Sequence, residues 1–157
     1  MTIKLTADEK RLVNHAKKAI TKYNKMRHKK GSIDTLYSFL MSDSGKIHDG
    51  ACFEPNIAQA TICGERHAIA NMVLNEAYQA KIKSIVIADP VPEVQKKSTP
   101  PCGTCRHLIW QFGTPQTSVI LMQYIQRKKD WIFPKMEKHL IKNLYPYPYE
   151  PVEGLWD

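Results

Sequence analysis

Residues 62–89, ICGERHAIANMVLNEAYQAKIKSIVIAD, carry two hydrophobic periods back to back. In the first part Ala68, Ile69, Met72, Val73 and Ala77 recur at helical spacing, so residues 63–80 read as an apolar helix. In the second, KSIVIAD (83–89) is a short unbroken apolar run, the type of strand covered on both faces of a sheet. A helix leading straight into a doubly covered strand is the repeating step of a layered α/β fold. The start of that helix is unusual. A thiol (Cys63), a carboxylate (Glu65) and two bases (Arg66 and His67) crowd the first turn of a segment otherwise built for burial.

Working outward, LTADEKRLVNHAKKAITKYNKM (5–26) reads as a helix. Thr6 and Glu9 form a capping box, and Leu12, Val13, Ala16, Ala19, Ile20 and Tyr23 share one face. TLYSFLMS (35–42) and KIHDGACFE (46–54), joined through a Gly-containing turn, read as a β-hairpin. Downstream come a loop, PVPEVQKKSTPP (90–101), and a third helix, CGTCRHLIWQF (102–112). A strand, TSVILMQYI (117–125), and a shorter one, KDWIFP (129–134), follow. KMEKHLIKNL (135–144) has the spacing of a closing helix. The 157 residues are expected to form one domain spanning 1–157, with an N-terminal helix within 1–30 and a Tyr/Pro-rich tail over 143–157.

Composition narrows the function classes. No apolar run approaches the roughly 20 residues of a membrane span, and the N-terminus lacks a secretory h-region. A soluble, cytoplasmic protein with no membrane partner is expected. The net charge is +8, much of it in KYNKMRHKK (22–30) and QRKKD (126–130). No aromatic interleaving or recognition motif accompanies these runs, so they read as solvated faces and nucleic acid is not expected as a partner. The four cysteines, Cys52, Cys63, Cys102 and Cys105, have no export signal to explain them as a disulfide framework; a metal or a catalytic thiol fits better.

PCGTC places Cys102 and Cys105 on one turn at a helix start, where both sulfurs can face a single ion. Cys63 is the natural third ligand. A fourth from His67, at i+4, or from Cys52 would close the set into a structural zinc site. Glu65 argues instead for a catalytic site: with three thiolates on zinc, water takes the remaining position and a nearby carboxylate carries its proton. Arg66 would offset the negative charge of the thiolates, or else form a surface salt bridge.

C-x-E followed by P-C-x-x-C resembles the signature of zinc-dependent deaminases. More narrowly, ICGERHA is similar to the CAERTA of small cytidine deaminases, PPCGTCRHLIWQFG to their PCGxCRQxxxEFG, and LYPYPYEP to LLPxxFGP. The resemblance runs from about residue 33 to 151 and extends to blasticidin-S deaminases. It implies a three-layer α/β/α sandwich around a five-stranded mixed sheet, with Zn2+ held by Cys63, Cys102 and Cys105. It also implies Glu65 as proton shuttle, Glu54 on the ribose, and backbone near Pro100 and Pro101 beside the departing amine. The small single-zinc members are homotetramers, and Tyr149 would be the aromatic donated across that interface. The implied reaction is hydrolytic deamination of an aminopyrimidine nucleoside such as cytidine or deoxycytidine. A modified aminopyrimidine nucleoside is the alternative, and a nucleic-acid substrate a weaker one. Four departures fall at substrate and interface positions: Cys52 replaces an asparagine, Asp34 a phenylalanine, LYSF (36–39) a run of small residues, and His107 a glutamine. Asp34 is expected to select a substrate with an extra amino or cationic group.

Overall fold

The computed structural model describes residues 3–149. Helix α1 (Ala7–Lys29) opens with the expected capping box: the Thr6 amide donates to Glu9 Oε2 at 2.8 Å and the Glu9 amide to Thr6 Oγ1 at 3.2 Å. Strands β1 (Tyr37–Ser42) and β2 (Ile47–Ala51) form the hairpin. Helix α2 (Gly64–Glu76), strand β3 (Ile82–Pro90), helix α3 (Gly103–Phe112) and strand β4 (Ser118–Arg127) follow. Strand β5 (Asp130–Leu140) and the single turn α4 (Ile141–Leu144) end the ordered elements.

The sheet order is β2-β1-β3-β4-β5. Strand β1 runs antiparallel to both β2 and β3, β3 and β4 are parallel, and β5 returns antiparallel to β4. Alternate residues of the central strands feed two cores, as their unbroken apolar runs require. Tyr37, Phe39, Val86, Ala88, Ile120 and Met122 pack under Leu12, Val13, Ala16 and Ile20 of α1. Leu40, Ile85, Ile87, Val119 and Leu121 pack under Ala68, Ile69 and Met72 of α2 and Ile109 and Phe112 of α3. The result is the three-layer sandwich around a five-stranded mixed sheet that the sequence implied.

Two assignments change. The segment 135–144 is not a closing helix: β5 runs to Leu140 and only 141–144 turn helically. Met136, Leu140, Ile141 and Leu144 fall at helical spacing, which misleads. Sheet pairing wins because β4 offers a free edge, and Lys138 on β5 reaches Glu9 of α1 at 2.8 Å across the layer. Pro134 is accommodated by a register shift, since Gln123 pairs with Lys135 and Ile125 with Ile132, leaving an extra residue bulged. Helix α2 also stops at Glu76, four residues early, where Ala77 adopts φ 65°.

Topology places the chemistry. A parallel pair needs a crossover, and α3 supplies it between β3 and β4, so its first turn lies past the end of β3. Helix α2 precedes β3 and descends toward its start, which sets the first turn of α2 at the same edge of the sheet. Gly50 locks that arrangement. A Cβ there would sit 2.2 Å from the Gly64 carbonyl oxygen and 2.5 Å from the Ala68 amide nitrogen, so only glycine lets β2 lie against the first turns of α2.

Candidate active site

Cys63 and Cys102 are the N-cap residues of α2 and α3, and Cys105 lies in the first turn of α3. Each cap carbonyl accepts its helical bond, from His67 at 3.2 Å and from Arg106 at 2.9 Å. Neither cap side chain bonds its own helix, so both sulfurs turn to the space between the two helix starts. The three Sγ atoms lie within 4.8 Å of one another, with Cys63 and Cys102 3.9 Å apart. Zinc–sulfur bonds in a tetrahedral shell put neighbouring sulfurs about 3.8 Å apart. All four cysteines of the chain are free thiols.

Two of the three thiols resist ionisation unless a cation is near. Cys105 is fully buried, and that burial, followed by the charge of Glu65, drives its thiol far above the ordinary range. Burial likewise raises Cys63. A divalent ion inverts this, because thiolates bound to it are stabilised by its charge. The donor set and its spacing fit Zn2+. Neither His67 nor Cys52 joins the sulfur cluster. His67 is exposed, with Nδ1 3.3 Å from the Ala51 carbonyl oxygen.

Glu65, one residue into α2, is 3% exposed, and its Oε2 has no hydrogen-bond partner. Burial raises its carboxyl above the usual range, while Cys105, Ser38 and Arg66 oppose the shift. The Ser38 hydroxyl on β1 is also buried without a partner and abuts Gly64. A buried carboxylate oxygen without a full set of partners is costly for folding, and the nearby Ser38 hydroxyl and Cys105 thiol offset that cost only in part. Ser38 belongs to no motif; its only signal in the sequence is the break in the apolar run of β1.

Other expected site residues are placed as follows. Phe53 and Ile62 pair through two 2.9 Å backbone hydrogen bonds, which brings the 52–54 segment alongside Cys63. The Cys52 thiol points to Glu54 Oε1 at 3.7 Å and is pushed up to about 11 by burial and by Glu54, Cys63 and Glu65. Arg66 donates to the Thr61 carbonyl oxygen, at 2.5 Å, and among the described residues it forms no salt bridge. Tyr149 is 62% exposed. Its amide donates to the Tyr145 hydroxyl at 3.1 Å, and its ring lies 6.1 Å from that of His107. Asp34 is not brought to the sulfurs. Its two oxygens are taken by His28 of α1 at 2.5 Å and by the Trp131 indole of β5 at 2.9 Å, both on the α1 side of the sheet. These two bonds make Asp34 a tie between α1 and β5.

The loop leading to Cys102 is held by residues the sequence did not single out. Arg106 donates to the Pro101 carbonyl oxygen at 2.7 Å and to that of Leu144 at 3.0 Å. Gln123, fully buried on β4, exchanges bonds with Gln95 and donates to Lys97, and Glu137 receives the amide and hydroxyl of Ser98.

The model of the cytidine and deoxycytidylate deaminase zinc-binding region matches residues 7–122. A cytidine deaminase of Mycoplasma pneumoniae is 31% identical over 78 residues, covering 50% of this chain and 56% of that protein. The match thus spans little more than half of that relative's length. Among solved structures, the cytidine deaminase from Burkholderia pseudomallei is similar with a TM-score of 0.61 at 18% identity, over 84% of this chain and 98% of that one. That from Bacillus anthracis gives 0.52 at 16% identity, over 85% and 89%. At such identities these likenesses speak for the fold. With the family model spanning most of the chain and three thiols converging on one metal position, the protein belongs to the cytidine and deoxycytidylate deaminase zinc-binding family.

Proposed function

We propose that this protein is a zinc-dependent aminohydrolase that removes ammonia from an aminopyrimidine nucleoside, with cytidine or deoxycytidine as the default substrate. One observation carries the reading: a buried glutamate with an unspent oxygen stands at the first helical turn beside three converging thiols. A closed structural zinc site has no use for that carboxylate.

Cys63, Cys102 and Cys105 would hold the ion, which when bound supplies a Lewis acid that makes water acidic enough to react near neutrality. Glu65 then does the proton work. Its free oxygen accepts a proton from the attacking water and returns it to the leaving amine, and burial keeps the carboxyl ready to hold that proton between the two transfers. Ser38 can donate its hydroxyl to the carboxylate and fix its rotamer. Cys52 and Glu54, beside Cys63, are suited to face the sugar, with Glu54 as the acceptor for a ribose hydroxyl. The thiol in place of an amide at Cys52 weakens that contact and widens the range of sugars or sugar substitutes, which keeps a modified aminopyrimidine nucleoside as the second substrate class.

The family resemblance adds a homotetramer in which Tyr149 reaches a neighbouring pocket. Supporting it, Phe53, Ile57 and Ile62 around the site and Tyr147 and Tyr149 on the tail are exposed apolar side chains that a second chain could cover. A cytoplasmic role in nucleoside salvage fits a chain whose thiols serve a metal rather than disulfides. No described helix is long and apolar enough to cross a membrane.

The test is a deamination screen over free bases, nucleosides and nucleotides, followed by mass change and ammonia release. Turnover of a nucleoside, lost in Cys102→Ala together with the zinc, is expected. No turnover of any aminopyrimidine by zinc-loaded protein would overturn the reading.

A further inference from the structure

The positive charge of the chain has an address. Between residues 7 and 30 there are nine lysines and arginines against two acids, which is +7 of the total of +8. Within α1 the inward face is apolar and packed on the sheet, through Leu12, Ala16, Ile20 and Tyr23. The outward face is different. Lys18, Lys22, Lys25 and Lys29 recur at i, i+4, i+7 and i+11, which aligns them in one stripe about 16 Å long. All four are exposed. Among the described residues none of them forms an ion pair, so all four charges face solvent uncompensated. The stripe faces a shallow surface depression shared with Thr21, Met26 and Lys30.

A solvated helix face needs lysines for solubility, but not a run of four aligned cations without one interspersed acid, because like charges at i, i+4 destabilise a helix. The sequence alone suggested lysines gathered at a helix C-terminus. The stripe begins mid-helix, where the macrodipole offers no compensation. We propose that the outer face of α1 is a docking surface for the phosphate backbone of duplex nucleic acid.

Three features select this partner. The stripe is straight and rigid because the opposite face of the helix is anchored in the core, so it can lie along a groove edge without an ordering cost. It carries no aromatic side chain on which unpaired bases could stack, which is what single-strand platforms use. Its apolar flank is one side chain, Met26, too little to enter a lipid interface, since the rest of the apolar face of α1 is spent on the sheet. Contacts limited to phosphates give position without sequence preference. The surface is separate from the sulfur cluster, which lies under the opposite layer, so the inference does not depend on the catalytic reading.

The experiment is fluorescence anisotropy of a labelled random-sequence DNA duplex with full-length, zinc-loaded protein. Binding should weaken on the order of 100-fold between about 50 mM and about 200 mM salt, with a log–log slope near −4 for four phosphate contacts. The variant K18Q/K22Q/K25Q/K29Q should lose at least about 10-fold in affinity at the lower salt and most of that slope, while keeping its zinc and its helical circular dichroism. K96Q/K97Q/K129Q/K142Q removes the same charge elsewhere and should bind like the parent. Equal loss in both variants would reduce the effect to net charge and overturn the proposal. So would the absence of parent binding, tighter binding to a matched single strand, or binding to vesicles of phosphatidylserine and phosphatidylcholine but not to DNA.

Discussion

Helix α2 carries a glutamate at each end, buried at the first and half-buried at the second, and the two are treated in opposite ways. At the C-terminal end Glu76, 8% exposed in its side chain, accepts from His48 Nε2 at 2.5 Å and from the Ser44 hydroxyl. Those partners, Ser44 first, hold its carboxyl down at about 2. At the N-terminal end Glu65 is more deeply buried, yet one of its oxygens has no partner and burial raises its carboxyl. The ordinary preference would be the reverse, because the helix dipole favours an acid at the N-terminus and disfavours one at the C-terminus. The fold therefore satisfies the glutamate that joins β2 to α2 and withholds satisfaction from the one beside the sulfurs. That contrast is what the proposed role of Glu65 as a proton carrier requires.

Exchanging the roles of these two residues sharpens the contrast. Glu65→Gln should keep its zinc and lower kcat by about 10²- to 10⁴-fold, the usual contribution of a positioned acid–base group. Its melting temperature should hold or rise, since a buried carboxyl without a full set of partners is removed. Gly50→Ala attacks the frame that holds both ends. Its Cβ meets backbone atoms of α2 that cannot yield cheaply, so a loss of about 2–3 kcal/mol in denaturant unfolding is expected. Glu76→Gln should leave kcat within about twofold and cost about 2 kcal/mol, through the buried partner left on His48.

How much of this the sequence disclosed follows from the range of the interactions involved. The sulfur set and Glu65 were legible because their spacing is local: two helix starts, each with its own short motif. The doubly covered strands were legible because an apolar run cannot be solvated. The contrast between the glutamates was not, because the partner of Glu76 comes from β2 and nothing local distinguishes one glutamate from the other. The partners of Asp34 were not legible for the same reason: they lie on α1 and on β5, at the far edge of the sheet. The first half of the last strand was legible at 129–134, but its second half was hidden because edge pairing with β4 outweighed a local helical period that was real but short.

Acid titration separates the two glutamates further. The Glu76 carboxyl is held below its unfolded value of 4.5, so the stability it contributes is complete above about pH 4.5 and is lost as pH falls from there toward about 2. Unfolding free energy measured across that window should fall less steeply in Glu76→Gln than in the parent; parallel curves would remove Glu76 from the account. The smallest expected effect is at the end of α2. Ala77 holds φ 65° and ψ 177°, a region that favours glycine, so Ala77→Gly should stabilise by about 1 kcal/mol, visible as a higher melting temperature with unchanged activity.

The most direct test of the central claim takes the parent and Glu65→Gln, purified without chelator, and measures bound zinc and ammonia release from cytidine on the same samples. The account predicts one zinc per chain in both proteins and ammonia from the parent alone. Zinc absent from the parent, or equal release by the two, would contradict it.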